Sequence, residues 1–186
     1  MTEPRAPEPV APELAISDPG PSTPALDALA RAGTPHRVVR TEPARSAEES
    51  AAFQGIRLAA LLRTIVVRRG EDDYVFVLVP AGRRFDWPKL RSHLGVSRLS
   101  LPDADEAREV TGYERYTITP FGSFRAWPVV ADASILEQRV VAIGGGASGV
   151  NVHLRPADLV AATGAEVVDV AVAEHAADHP GPGATS

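Results

Sequence analysis

Two apolar runs, residues 62–67 and 74–79, stand on either side of the polar break Gly70-Glu71-Asp72-Asp73. Short runs dominated by branched and aromatic side chains suit strands covered on both faces, and a break of this length joins them as an antiparallel hairpin. A hairpin buried on both sides needs further layers to cover it. The sequence supplies them as short elements. A helix is expected over residues 24–32, with Thr23 as N-cap, Pro24 in the first turn and Gly33 beyond the end. A strand follows over 37–40. Ser46 and Glu49 form a capping box for a helix reaching Gln54, and a helical turn over 58–61 leads into the hairpin.

After the hairpin, a helix begins with Asp86 or Trp87 near the cap and Pro88 in the first turn and ends near Gly95, and residues 98–101 read as a brief strand. The acidic turn Asp103, Asp105 and Glu106 suits the start of a helix over 103–110. Strands are expected over 127–130, 139–143, 151–154 and 166–170, with a helix over 156–162 closed by Gly164. Strands outnumber helices and are often joined as hairpins. The fold class is therefore α+β, with a mixed, mostly antiparallel sheet flanked by helices.

Seven of the first 24 residues are proline, and the apolar residues there show no periodicity. Residues 1–22 are expected to be a disordered arm and residues 173–186 a second loose tail, leaving one domain over 23–172. The chain contains no cysteine, which removes disulfides, thiolate metal sites and cysteine nucleophiles. No apolar run is long enough to span a bilayer and the N-terminus lacks a signal-peptide pattern, so a cytoplasmic protein without membrane contact is expected. The net charge is −5, yet residues 57–98 hold nine basic against four acidic side chains. Such a face can meet a phosphate backbone or can simply be solvated. Lys89 is the only lysine, so the arginines reflect a bias of the whole chain.

Residues 111–122 are too polar and too rich in turn-formers for a core element, yet include Tyr113, Tyr116 and Phe121. Gly112, Gly122 and Pro120 shape the backbone, so the segment either lines a ligand site or plugs the edge of the core. Residues 144–149 fit a G-x-G-x-x-G pattern, but the alternation of residues 150–154 predicts a strand where a dinucleotide site needs a helix. These glycines turn a hairpin and expose backbone amides. The five histidines lack metal spacing, and no nucleophile elbow or P-loop is present. No metal and no cofactor are expected. Asp132, at a strand end, either caps the following turn or points into a site.

In order along the chain, residues 46–49, 62–67, 86–90, 111–113, 119–122, 130–132, 144–146 and 156–159 form a series that resembles the YbaK/EbsC family of single-domain aminoacyl-tRNA deacylases, relatives of the editing domain of bacterial prolyl-tRNA synthetases. The resemblance covers about residues 24–171 and implies a strongly curved mixed sheet flanked by helices. It implies a hydrolase of translation quality control that cleaves the ester of mischarged tRNA without a covalent nucleophile. The partner implied is the 3′ end of aminoacyl-tRNA, and the basic face offers a place for an aminoacyl-tRNA synthetase to dock. Such a site needs a cation for the terminal phosphate, backbone donors for the oxyanion and a cavity that selects the side chain.

Carried over residue by residue, the resemblance assigns catalytic roles to Arg63, Asp132 and Asn151. It assigns substrate contacts to Thr64, Gly112, Tyr113, Thr119, Pro120, Phe121, Gly122, Gly144, Gly145 and Gly146. Arg63 takes the place of the lysine in the family's Lys-Thr-Leu motif, keeping charge but not the ease of proton release. Asn151 stands where many deacylases carry aspartate. These two departures open an alternative, a noncatalytic module that binds aminoacyl-tRNA or aminoacyl-adenosine.

Overall fold

The computed structural model describes residues 20–174. The arm and tail expected at the two ends therefore lie, but for their innermost residues, outside the described residues. In chain order the elements are α1 Pro24–Arg31, β1 Arg37–Arg40, α2 Ala47–Phe53, β2 Leu62–Gly70, β3 Asp73–Pro80, β4 Arg83–Phe85 and α3 Trp87–Leu94. Then come α4 Ala104–Thr111, β5 Val129–Asp132, β6 Val141–Gly144, β7 Val150–Leu154, α5 Pro156–Thr163, β8 Glu166–Val168 and β9 Ala171–Ala173.

The helices begin where local chemistry satisfies their free amides. Thr23, Ser46, Asp86 and Asp103 each accept a hydrogen bond from the amide three residues on. Glu49 reaches back to the amide of Arg45 at 2.5 Å, one residue before the reciprocal partner of an ideal capping box. Gly95, Gly112 and Gly164 end α3, α4 and α5 in the left-handed region.

β2 and β3 pair antiparallel from Leu62↔Pro80 to Gly70↔Asp73, and β3 continues through the parallel partners β5 and β8. A second sheet has the order β1-β7-β6, all antiparallel, and a third consists of β4 and β9. A single parallel bridge, Leu61↔Ala142, links the first two sheets. The fold is α+β, with four antiparallel and two parallel strand pairings among the described residues.

β3 is buried on both faces, as its composition requires. Tyr74, Phe76 and Leu78 enter a core with α1, β6, β7 and α5, while Val75, Val77 and Val79 enter a second core with Phe85, Leu90 and Val170. β2 divides the same way: Leu62 and Val66 face the first core, and Ile65 and Val67 the second.

Two expected strands differ, and a third strand, β4, has no counterpart among the expected elements. The strand over 98–101 reduces to one bridge, Ser100 to Arg68, because residues there have no second neighbour to pair with. The strand expected over 166–170 stops at Val168 as β8, since the amides of Val170 and Ala171 turn inward to the Asp132 carboxylate, and β9 begins beyond the expected range at Ala171. β4 has only three residues and takes its pairing from β9, 88 positions away from Arg83 in the bond from its Nη2 to the Ala171 carbonyl. Nothing local announces it.

Candidate functional site

A cleft of about 1350 Å³ opens between β2, the start of α2, the 111–118 segment and the hairpin joining β6 to β7. Its floor is β2. Thr64 shares the face of Leu62 and Val66, and its Oγ1 is buried with no hydrogen-bond partner among the described residues. A buried hydroxyl without a partner is unfavourable unless something else supplies the bond.

One wall is the glycine hairpin. Gly145 N donates to Val150 O at 2.8 Å and Val150 N to Ala147 O at 3.1 Å, which fixes the turn. The amides of Gly146, Ala147 and Ser148 have no acceptor among the described residues, and all three residues line the cleft. A row of unpaired amides on a tight turn binds anionic oxygens. Gly146 has φ +85°, and a Cβ there would lie 2.8 Å from the ring of Tyr113. The hairpin can approach Tyr113 only because it lacks a side chain at this point.

The facing wall is the 111–118 segment. Tyr113 is buried, and its hydroxyl donates to the Phe121 carbonyl at 2.6 Å. Burial pushes its phenol up to about 12, so the group remains a hydrogen-bond donor at ordinary pH. The carbonyls of Thr117 and Ile118 lie against Gly144. Thus the two segments that the sequence separates by some thirty positions meet directly.

Of the residues singled out in the sequence, Arg63, Thr64, Gly112, Tyr113, Gly144, Gly146 and Asn151 border this cleft. Thr119, Pro120, Phe121, Gly122, Gly145 and Asp132 do not. Phe121 belongs to the first core, and a Cβ on Gly122 would lie 2.3 Å from the Pro24 carbonyl, so 119–122 packs behind the wall against α1. Gly145 is covered by Thr23, whose hydroxyl donates to its carbonyl at 2.5 Å. Asp132 is 1% exposed. One carboxylate oxygen accepts from the Ser134 amide and hydroxyl, and the other from the amides of Val170 at 3.1 Å and Ala171 at 2.8 Å. It caps the turn Ala133–Glu137 and ties β5 to the link between β8 and β9.

Arg63 leaves β2 on the face opposite Thr64. Its guanidinium donates to the Arg83 carbonyl and stands 3.8 Å from Glu174, with Nε buried and unpartnered. Two other arginines of the lining, Arg45 and Arg115, make no ion pair among the described residues. The charged lining is balanced: Arg45, Arg63 and Arg115 stand against Glu42, Asp103 and Glu114. Of these acids, Asp103 caps α4, and Glu114 pairs with Arg108 at 3.0 Å. Among the described residues, no histidine lines the cleft. His153 lies buried outside it, its Nε2 2.9 Å from Gln54 Oε1, and burial together with Arg37 lowers its pKa to about 4. Asn151 borders the cleft and makes only long contacts, 3.4 Å from Nδ2 to the Val39 carbonyl and 3.5 Å to Thr41 Oγ1.

Arg45, Ser46 and Ser50 at the start of α2, and Arg115 with Tyr116, were not singled out as site residues. The capping box identified Ser46 as the start of a helix, but its proximity to the hairpin arises from a long-range bond, Thr41 N to Gly149 O at 2.9 Å. No group of three or more metal-binding side chains occurs among the described residues, and no helix there is long and apolar enough to cross a membrane.

Comparison with known proteins places this geometry in context. Residues 41–162 match the model of the aminoacyl-tRNA editing domain, a range that starts at the first residue of the cleft and contains all of its lining. A proline–tRNA ligase of Thermosipho africanus is 29% identical over 107 residues, covering 58% of this chain and 19% of the ligase; one from Thermosipho melanesiensis is 29% identical over 108 residues with the same coverage. The chain thus corresponds to about a fifth of the length of those ligases. Among solved structures, a candidate trans-editing enzyme for prolyl-tRNA synthetase superposes with a TM-score of 0.74 at 28% identity, covering 82% of this chain and 96% of that one.

Proposed function

We propose, from the premise that this chain belongs to the aminoacyl-tRNA editing domain family, that it is an aminoacyl-tRNA deacylase: it hydrolyses the ester between a wrongly attached amino acid and the terminal ribose of tRNA. One observation carries the reading. The unpartnered Thr64 hydroxyl and the unpaired amides of residues 146–148 border the same cleft, inside the family's matched range.

In this mechanism, water attacks the ester carbonyl, a C–O bond forms to it, and the bond to the ribose oxygen breaks, that oxygen leaving with a proton. Negative charge accumulates on the former carbonyl oxygen. The amides of Gly146, Ala147 and Ser148 are donors of the kind that stabilise such an oxyanion. Thr64 anchors the acyl end, and Asn151, held only by long contacts, turns its amide to the substrate. The lining offers no histidine, and two of its three acids are already engaged, so proton transfer falls to water and the substrate's neighbouring hydroxyl. Arg63 reaches the terminal phosphate by exchanging the Arg83 carbonyl for a charged, bidentate partner. The domain spans residues 23–172 and works in the cytoplasm on the 3′ end of aminoacyl-tRNA, with a synthetase as a docking partner.

Incubation of the purified protein with mischarged tRNA(Pro) and a broad panel of other aminoacyl-tRNAs tests this. Release of free amino acid above the spontaneous rate is expected for at least one species. Absence of release across the panel, where a known editing enzyme is active, rejects the reading. Retained binding of aminoacyl-adenosine analogues in that case identifies a noncatalytic module.

A further inference from the structure

The turn from Glu114 to Thr117 is closed twice, by Thr117 N to Glu114 O at 3.0 Å and by Thr117 Oγ1 to the same oxygen at 2.8 Å. Its third residue, Tyr116, has φ +70°, a position that turn chemistry reserves for glycine or asparagine. Asp72 is the one other non-glycine residue with positive φ among the described residues. Tyr116 is 91% exposed, so it adds almost nothing to the core. Arg115 places its guanidinium 5.2 Å from the ring centroid. Both residues line the cleft, as does the exposed Leu101. A planar, solvated ring, held outward by a doubly closed turn that borders a cleft, with one face under a guanidinium that makes no ion pair among the described residues, offers its other face to another flat ring.

We propose that Tyr116 is the stacking platform for the terminal nucleobase of the RNA end that enters the cleft, with Arg115 holding the adjoining phosphate. The choice of RNA rests on the deacylase reading; the stacking surface does not. Every base offers a π-face, so the platform grips the end of the strand irrespective of which amino acid it carries. Recognition of the acyl group is left to the cleft interior.

Binding without any ester tests the proposal independently of hydrolysis. A 5′-fluorescein-labelled RNA stem ending in CCA is compared by anisotropy with the same RNA whose last nucleotide is abasic, using the full chain and its Tyr116→Gly and Tyr116→Phe variants. Glycine accepts the positive φ, so the turn survives. The wild type should prefer the CCA end about tenfold, the usual scale of base–aromatic stacking. Tyr116→Gly should bind both RNAs at the weaker level, and Tyr116→Phe should retain the preference. Equal weakening of both RNAs by Tyr116→Gly, no effect of that change, or a wild type that does not distinguish the two ends would each overturn the assignment. Loss of deacylation with this preference intact would instead count against the hydrolytic reading alone.

Discussion

Thr64 holds a hydroxyl that the folded chain buries and leaves without a partner. Replacing it with valine removes the unsatisfied group at almost constant volume, so Thr64→Val should melt at the same temperature as the wild type or slightly higher. The same change should raise KM for aminoacyl-tRNA about tenfold, the loss of one hydrogen bond of ~1.4 kcal/mol. Opposite signs in calorimetry and kinetics separate a binding group from a structural one. Arg63 poses a different question, because its guanidinium rests on a carbonyl and a glutamate 3.8 Å away. Arg63→Ala should raise KM for aminoacyl-tRNA about tenfold with a smaller change in kcat; a variant that only melts earlier would show that the side chain is a strap between β2 and β4. The motif order marked both positions in the sequence. It did not tell which side of the strand each side chain leaves, since that depends on which core each face of β2 covers.

At the scale of elements, the glycine hairpin and the 111–118 wall stand together through a missing side chain. Gly146→Ala places a methyl group 2.8 Å from the Tyr113 ring and forces alanine to φ +85°. It should destabilise the fold by about 2 kcal/mol by denaturant unfolding and depress deacylation more than the lost stability explains, by moving the amide row. Helix limits were legible because caps act over three or four residues: Thr23 and Ser46 perform the role their spacing suggests and Asp86 is the cap of α3, whereas Asp103, expected within the acidic first turn, caps α4 from just outside it. The alternation after residue 149 was equally legible, and it correctly turned the glycine run into a hairpin rather than a nucleotide loop. β4 and β9 were not, because three-residue strands carry no period and owe their pairing to a contact across most of the chain. Asp132 shows the same limit: capping of the next turn was readable, whereas its second oxygen serves amides 38 and 39 positions away.

The whole molecule carries a buried neutral histidine, and that fixes part of its acid response. The folded pKa of His153 is lowered to about 4, below the unfolded value near 6.5, by burial and by Arg37. At pH 7 both states hold a neutral ring. As pH falls through 6.5 the unfolded chain gains a proton that the folded chain refuses, so stability declines by up to about 1.4 kcal/mol per pH unit until about pH 4. His153→Gln should flatten that slope by one proton in urea titrations between pH 4 and 6.5, while an unchanged slope would show that the ring protonates in place. Sequence alone determined the helices and the longer strands, because hydrophobic runs, caps and turn residues act through neighbours along the chain. It also determined the family, because the order of short motifs survives folding unchanged. Tertiary structure decided which of the marked residues share a cleft. It drew Thr64, Tyr113 and Gly146 to one side, sent Asp132 elsewhere, rested the Arg63 guanidinium on the Arg83 carbonyl, and brought in Arg115 and Tyr116. The physical reason is that a side chain's surroundings depend on strand face and long-range packing, neither of which is written within a few residues of it.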